Sequence, residues 1–104
     1  MSEPRYDAIV AGLGAHGSAA AYHLAKRRQS VLGFDRFARG HTLASFGGLS
    51  RIIRLSYHRP HYVRLARRAY ETWAVVEREA GVQIITRTGG LDVAPRVAKI
   101  PLSD

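Results

Sequence analysis

The segment from Tyr6 to Asp35 constrains this chain more than any other. A short apolar run, Ala8-Ile9-Val10-Ala11, leads straight into Gly12-Leu13-Gly14-Ala15-His16-Gly17, which is G-x-G-x-x-G. An Ala-rich stretch follows from Ser18 to Lys26. A second apolar run, Ser30 to Phe34, then ends in Asp35. The order is strand, glycine turn, helix, strand, acid, all within the length of one βαβ unit.

Each part has its own physical task. Gly12 lets the chain turn sharply off the strand. Gly14 lacks a Cβ, so a pyrophosphate can approach the backbone. Gly17 lets the helix pack closely on the strand. The first helical turn points free N–H groups and the positive end of the dipole at the phosphates, and Ala15 and His16, in the glycine turn before it, are candidate binding positions. Leu13 belongs to the same turn and counts with it as a candidate binding position. At the end of the second strand the Asp35 carboxylate is placed to accept both ribose hydroxyls. A carboxylate there also repels a 2′-phosphate, which disfavours NADP. Arg36 follows it and is either a contact for a 2′-phosphate, which would weaken that exclusion, or a solvated loop cation. The motif does not separate FAD from NAD, and an ordinary glycine turn in another α/β protein is the alternative reading.

Composition narrows the class. The chain has 104 residues, 46% of them hydrophobic, which is globular rather than disordered. That length gives one modest core, and only the first of the two halves of a full dinucleotide fold is visible. No apolar run is long enough to span a membrane. The charged segment Met1 to Asp7, before the first apolar run, does not read as a secretory signal. There are no cysteines, so disulfides and thiolate metal sites are excluded. These features fit a cytoplasmic protein. The net charge of +8 invites a nucleic-acid reading. However, the cations form no single run, and all but Lys26 and Lys99 are arginine. They read as a solvated surface, and neither a nucleic-acid nor a membrane partner is expected. No feature specifies an oligomeric state.

Beyond Asp35 the organisation stays legible. The stretch from Arg36 to Ser50 is loop-like. Pro60 suits the first position of a helix. Tyr62, Ala66, Ala69, Trp73, Val76 and Ala80 then repeat at helical spacing, and Gly81 supplies the stop. The aromatic residues Tyr62, Tyr70 and Trp73 read as core. Arg67 and Glu71 form an exposed pair of opposite charge. Val82 to Thr88 and Leu91 to Ala94 read as the two strands of a hairpin around Gly89-Gly90, closed by Pro95. The expected fold class is α/β: a partial FAD/NAD(P)-binding Rossmann-like domain of βαβ unit, amphipathic helix and β-hairpin over residues 1–95. Residues 96–104 are a weakly patterned tail, expected to mark a truncation. His58 and His61 are three apart, but no third metal ligand accompanies them. His41 lies in the flavin-side loop after Asp35, where proximity to the cofactor is one reading, and its sequence context assigns it no specific role.

The second signal is Ser45-Phe46-Gly47-Gly48-Leu49-Ser50-Arg51-Ile52-Ile53-Arg54. Small residues let backbone approach a flat ring, and Ser50 is a donor. A guanidinium beside a flavin stabilises the negative charge that develops on reduction. A second guanidinium can hold a carboxylate through two parallel hydrogen bonds. The competing reading is two surface arginines bracketing an Ile-Ile core strand.

Tyr6 to Asp35, the Ser45-x-Gly-Gly-x-Ser-Arg-Ile-Ile-Arg54 segment, and Thr88-Gly89-Gly90-Leu91 together resemble the amino-terminal part of the monomeric sarcosine oxidase and N-methyltryptophan oxidase family. These are DAO-type FAD-dependent oxidoreductases. The resemblance covers nearly the whole chain and about the first quarter of such an enzyme. The glycine fingerprint is widely shared among flavoproteins, whereas Ser-Arg-Ile-Ile-Arg is more specific.

The resemblance implies a set of roles. Gly12, Gly14 and Gly17 take the FAD pyrophosphate, Asp35 the adenosine ribose, and Arg36 lies near the adenine. Ser50 and Arg51 contact the flavin, with Arg51 as the catalytic arginine against its ring. Arg54 pairs with a substrate carboxylate, and Tyr57 lines the pocket beside it. Family members oxidise a secondary or N-methylated amine of an amino acid by hydride transfer to FAD, and oxygen reoxidises the flavin to give hydrogen peroxide. Two departures matter. Sarcosine oxidases usually carry histidine where Gly47 stands, which argues against sarcosine itself. The family's flavin-linking cysteine and oxygen-activating lysine lie further along than this chain reaches, so no residue here can hold flavin covalently. The 104 residues alone are expected to be inactive.

Three readings therefore compete at the level of sequence. One is part of an FAD-dependent amine or amino-acid oxidase. Another is an NAD-dependent dehydrogenase module or a D-amino-acid dehydrogenase-like flavoprotein. The last is a non-enzymatic nucleotide-binding domain.

Overall fold

A computed structural model describes residues 3–43, 45 and 47–95. It divides into two compact units, Met1–Arg51 and Ile52–Asp104.

In the first unit, strand β1 (Ala8–Ala11), helix α1 (Ala15–Lys26) and strand β2 (Val31–Phe34) follow one another. The strands are parallel, with Ala8 opposite Val31 and Ala11 opposite Phe34. Parallel neighbours need a crossover, and α1 supplies it, packing against both strands. Along β1 the burial alternates: Ala8 and Val10 are half-buried, Ile9 and Ala11 exposed. The expected βαβ unit is therefore present, and the mixed α/β architecture is that of a partial Rossmann-like domain.

Carboxylate-to-amide bonds tie the two strands at both ends. Before β1, Asp7 Oδ2 accepts the Ser30 amide at 2.6 Å, and Ser30 O accepts the Asp7 amide at 2.8 Å. After β2, Asp35 plays the matching part for the glycine turn. The sequence reading had not singled out Asp7. After Asp35, no helix or strand forms among the described residues up to Arg51.

In the second unit, helix α2 runs Pro60–Ala80. Pro60 occupies its first turn. Gly81 ends it with φ +68°, in the left-handed region, and donates to Glu77 O at 2.9 Å. The start, stop and length match expectation. The buried line matches only in part: Ala66 is buried and Ala69 and Val76 are half-buried as expected, but the other buried residue is Val63. Tyr62 and Trp73 are 46% and 39% exposed, so the aromatic stripe expected as core is only partly covered. Tyr70 is half-buried and donates from its hydroxyl to Ile53 O at 3.0 Å. Glu71 accepts from Arg68 at 2.7 Å.

The expected hairpin is a correction. Among the described residues, no strand forms between Val82 and Pro95. The Ile84 and Ile85 amides instead donate to Glu77 Oε2 on α2, at 2.8 and 3.2 Å. Leu91 and Val93 remain exposed. A two-stranded ribbon with an uncovered apolar face is marginal in water, so the alternation of residue types was insufficient. No helix among the described residues is long and apolar enough to cross a membrane.

Candidate functional site

The glycine turn sits between β1 and the amino end of α1, and its three glycines are there for different reasons. Gly12 has φ +90°, which only glycine adopts without strain. Gly17 has an ordinary conformation but no space: a Cβ there would lie 1.8 Å from Gly12 O. Gly14 meets neither constraint, since a Cβ would touch no protein atom within 4 Å. Any exclusion there comes from a ligand.

No side chain caps the amino end of α1, and its first turn carries no acidic residue. Ser18 Oγ instead turns back to Gly14 O at 2.5 Å. The amides of the first turn lack intrahelical partners by helix geometry and sit at the positive end of the dipole. Ala15, His16 and Gly17 thus offer backbone donors, and the exposed His16 ring plays no part in the turn. Leu13 differs from them. Its amide donates to Asp35 Oδ2 at 2.8 Å, and its side chain lies over Gly33, where a Cβ would meet Leu13 Cδ2 at 2.8 Å. Leu13 holds the turn to β2, and its N–H is already committed.

Asp35 is the hub of this arrangement. Its Oδ1 accepts the Phe37 amide at 3.0 Å and lies 3.2 Å from His41 Nε2. The Leu13 amide, then the Phe37 amide, hold its carboxyl below the ordinary aspartate range; loss of solvent opposes them, and the nearby His41 adds a smaller lowering. The side chains of His41 and Asp35 are 18% and 19% exposed. A carboxylate has roughly four acceptor positions, so three donors leave one on Oδ2 for a ligand hydroxyl, where the sequence reading expected contacts to two. Arg36 reaches no carboxylate in the described contacts; its guanidinium stands 5.5 Å from the Phe37 ring centroid.

An uncapped helix end, a turn in which Gly14 can admit a group against bare backbone, and an ionised carboxylate at the adjacent strand end form a donor and acceptor set. That set fits a pyrophosphate next to a ribose.

Arg51 closes the first unit. Its guanidinium donates to Ser50 O at 2.9 Å, to Ser45 O at 3.3 Å and to Gly47 O. Gly48 has φ +117°, and a Cβ there would sit 3.1 Å from Arg51 Nη1. Arg51 is therefore a clamp on its own loop, a role that the sequence reading missed. Carbonyl density in a Gly-Gly loop was the available signal. Ser50 is exposed. In the second unit, the Arg54 guanidinium stands 5.3 Å from the Tyr57 ring centroid, and Tyr57 is 6.1 Å from Tyr62, centroid to centroid. The two residues expected to meet a substrate are thus neighbours.

A family model described as FAD dependent oxidoreductase matches residues 7–101. The chain is also similar to named proteins. It is 48% identical over 91 residues to a monomeric sarcosine oxidase of Streptomyces avermitilis, covering 86% of this chain and 24% of that protein. It is 46% identical over 83 residues to a peroxisomal sarcosine oxidase of Mus musculus, covering 80% of this chain and 21% of that protein. It is 37% identical over 91 residues to a probable sarcosine oxidase of Arabidopsis thaliana, covering 88% of this chain and 22% of that protein. The chain therefore spans about a quarter of the length of the curated relatives it matches.

Proposed function

This chain belongs to the FAD-dependent oxidoreductase family, and we propose that it forms the adenosine-diphosphate-binding part of a flavoenzyme that oxidises amines or N-methyl amino acids. One observation carries the binding role: the Asp35 carboxylate is bonded to the glycine turn at Leu13, beside an uncapped helix end. Gly12, Gly14, Ala15, His16 and Gly17 form the phosphate cradle, Gly12 and Gly17 by shaping it and the others by presenting backbone. Asp35 receives the ribose, and Arg36 lies toward the adenine. The family membership favours FAD over a nicotinamide nucleotide, and an enzyme over a passive binding module.

When bound, the flavin would supply a two-electron acceptor for hydride from the C–H bond next to the substrate's amine nitrogen, leaving an imine, with oxygen as the final acceptor. The chain's own residues bind and orient. Arg51 gathers the Ser45, Gly47 and Ser50 carbonyls and, with Ser50, lies toward the flavin. Arg54 pairs with a substrate carboxylate, and the Tyr57 ring beside it shapes the pocket. The relatives are named sarcosine oxidases, which supports a small N-methylated amine as the substrate class. Gly47, in place of the histidine usual in that group, favours a substrate other than sarcosine.

The 104 residues are too small a part to turn over by themselves, because a dinucleotide crevice forms where two mononucleotide-binding halves meet. Amine-dependent peroxide release by the full-length protein, and none by these 104 residues, is the expected pair of results. No peroxide from the full-length protein with any secondary or N-methylated amino acid would overturn the oxidase reading.

A further inference from the structure

We infer that His41 is a positioning residue for the cofactor's ribose, acting through Asp35; the inference rests on the flavin reading above. Three contacts fix the ring. His41 Nδ1 accepts the Leu43 amide at 3.2 Å. An amide N–H can only donate, so Nδ1 is unprotonated and the ring proton is on Nε2. Nε2 lies 3.2 Å from Asp35 Oδ1 and donates to it. The Phe37 ring holds the imidazole edge-on, with centroids 5.0 Å apart. The His41 amide also donates to Ala38 O at 3.2 Å, which closes the 38–41 turn beneath the ring.

The consequence falls on Asp35. With the Phe37 amide, His41 fills Oδ1, so the carboxylate cannot rotate to offer that oxygen. Oδ2 keeps one open acceptor position, and it is held by the same bond that ties Leu13 in the glycine turn. Ribose and pyrophosphate recognition are thereby set in one register. His41 touches no ligand in this scheme.

The test titrates FAD into full-length apoprotein. His41→Ala should weaken FAD binding roughly tenfold, the value of one hydrogen bond to a charged group. His41→Gln places an amide donor near the Nε2 position and should recover most of that loss. In an Asp35→Ala background, His41→Ala should have no further effect. An equal loss in both backgrounds, or unchanged binding in His41→Ala, overturns the inference while the flavin reading stands. A wild-type protein that takes up no FAD overturns the flavin reading itself. Nitrogen-detected magnetic resonance of the wild-type imidazole gives a readout that needs no cofactor: the Nε2–H tautomer is expected, and the Nδ1–H tautomer overturns the inference.

Discussion

Asp35 Oδ2 accepts the Leu13 amide proton at 2.8 Å, so the end of β2 is bonded directly to the glycine turn that leaves β1. The bond spans α1 and closes the βαβ unit on the side where a nucleotide would lie. It also assigns Leu13 and Asp35 to one structural job before any ligand arrives. Removing the carboxylate should therefore loosen the turn as well as the ribose contact. Asp35→Asn replaces one acceptor oxygen by a donor facing either Leu13 or Phe37. It should lower the melting temperature of the apoprotein and weaken FAD. A melting temperature equal to wild type would refute the structural half of that role.

The same bonds give stability a pH dependence. Asp35 has a depressed value in the folded protein. Its contribution is fully present above the ordinary aspartate range and is lost as pH falls through the depressed folded value. Acid unfolding of the apoprotein should therefore take up a proton that Asp35→Asn does not. Identical acid transitions in the two proteins would contradict this.

The three glycines should separate by experiment. Gly17→Ala puts a methyl 1.8 Å from Gly12 O, which the backbone cannot absorb without shifting. It should destabilise by about 1–3 kcal/mol or prevent folding. Gly14→Ala meets no protein atom within 4 Å. It should leave the apoprotein's melting temperature nearly unchanged and still weaken FAD. Calorimetry of both variants, with and without FAD, checks the contrast. A Gly14→Ala variant with normal FAD affinity would reject the close approach of a pyrophosphate.

Arg54→Ala should raise KM for carboxylated amines in the full-length enzyme and leave flavin content intact. Losing a charge-assisted pair costs about 2–3 kcal/mol, or roughly 30- to 150-fold in kcat/KM. The Tyr57 ring beside the guanidinium would remain. Loss of flavin, with KM unchanged in what remains, would move Arg54 to a cofactor or structural role.

Much of this was legible in the sequence because it is local. The turn Gly12–Gly17, the acid at the end of the second apolar run and the Pro60 and Gly81 limits of α2 are all set by neighbours in the chain. The contacts missed are those that need a third dimension. Asp7 with Ser30, His41 with Asp35 and Glu77 with the Ile84 and Ile85 amides join residues whose spacing carries no pattern. The hairpin failed for a related reason: alternating residues predict a strand only where a surface exists to cover one face. The buried line of α2 includes Val63, missed because residue type, and not helical phase alone, had directed attention to the aromatic positions.

The most direct test of the account is the identity of the cofactor that the full-length protein carries. It should be isolated with a flavin absorption spectrum. Acid or heat release should give FAD in near-stoichiometric amount, and Gly14→Val should abolish it. A colourless protein that binds NAD in preference to FAD, or a Gly14→Val variant with full FAD content, would contradict the account.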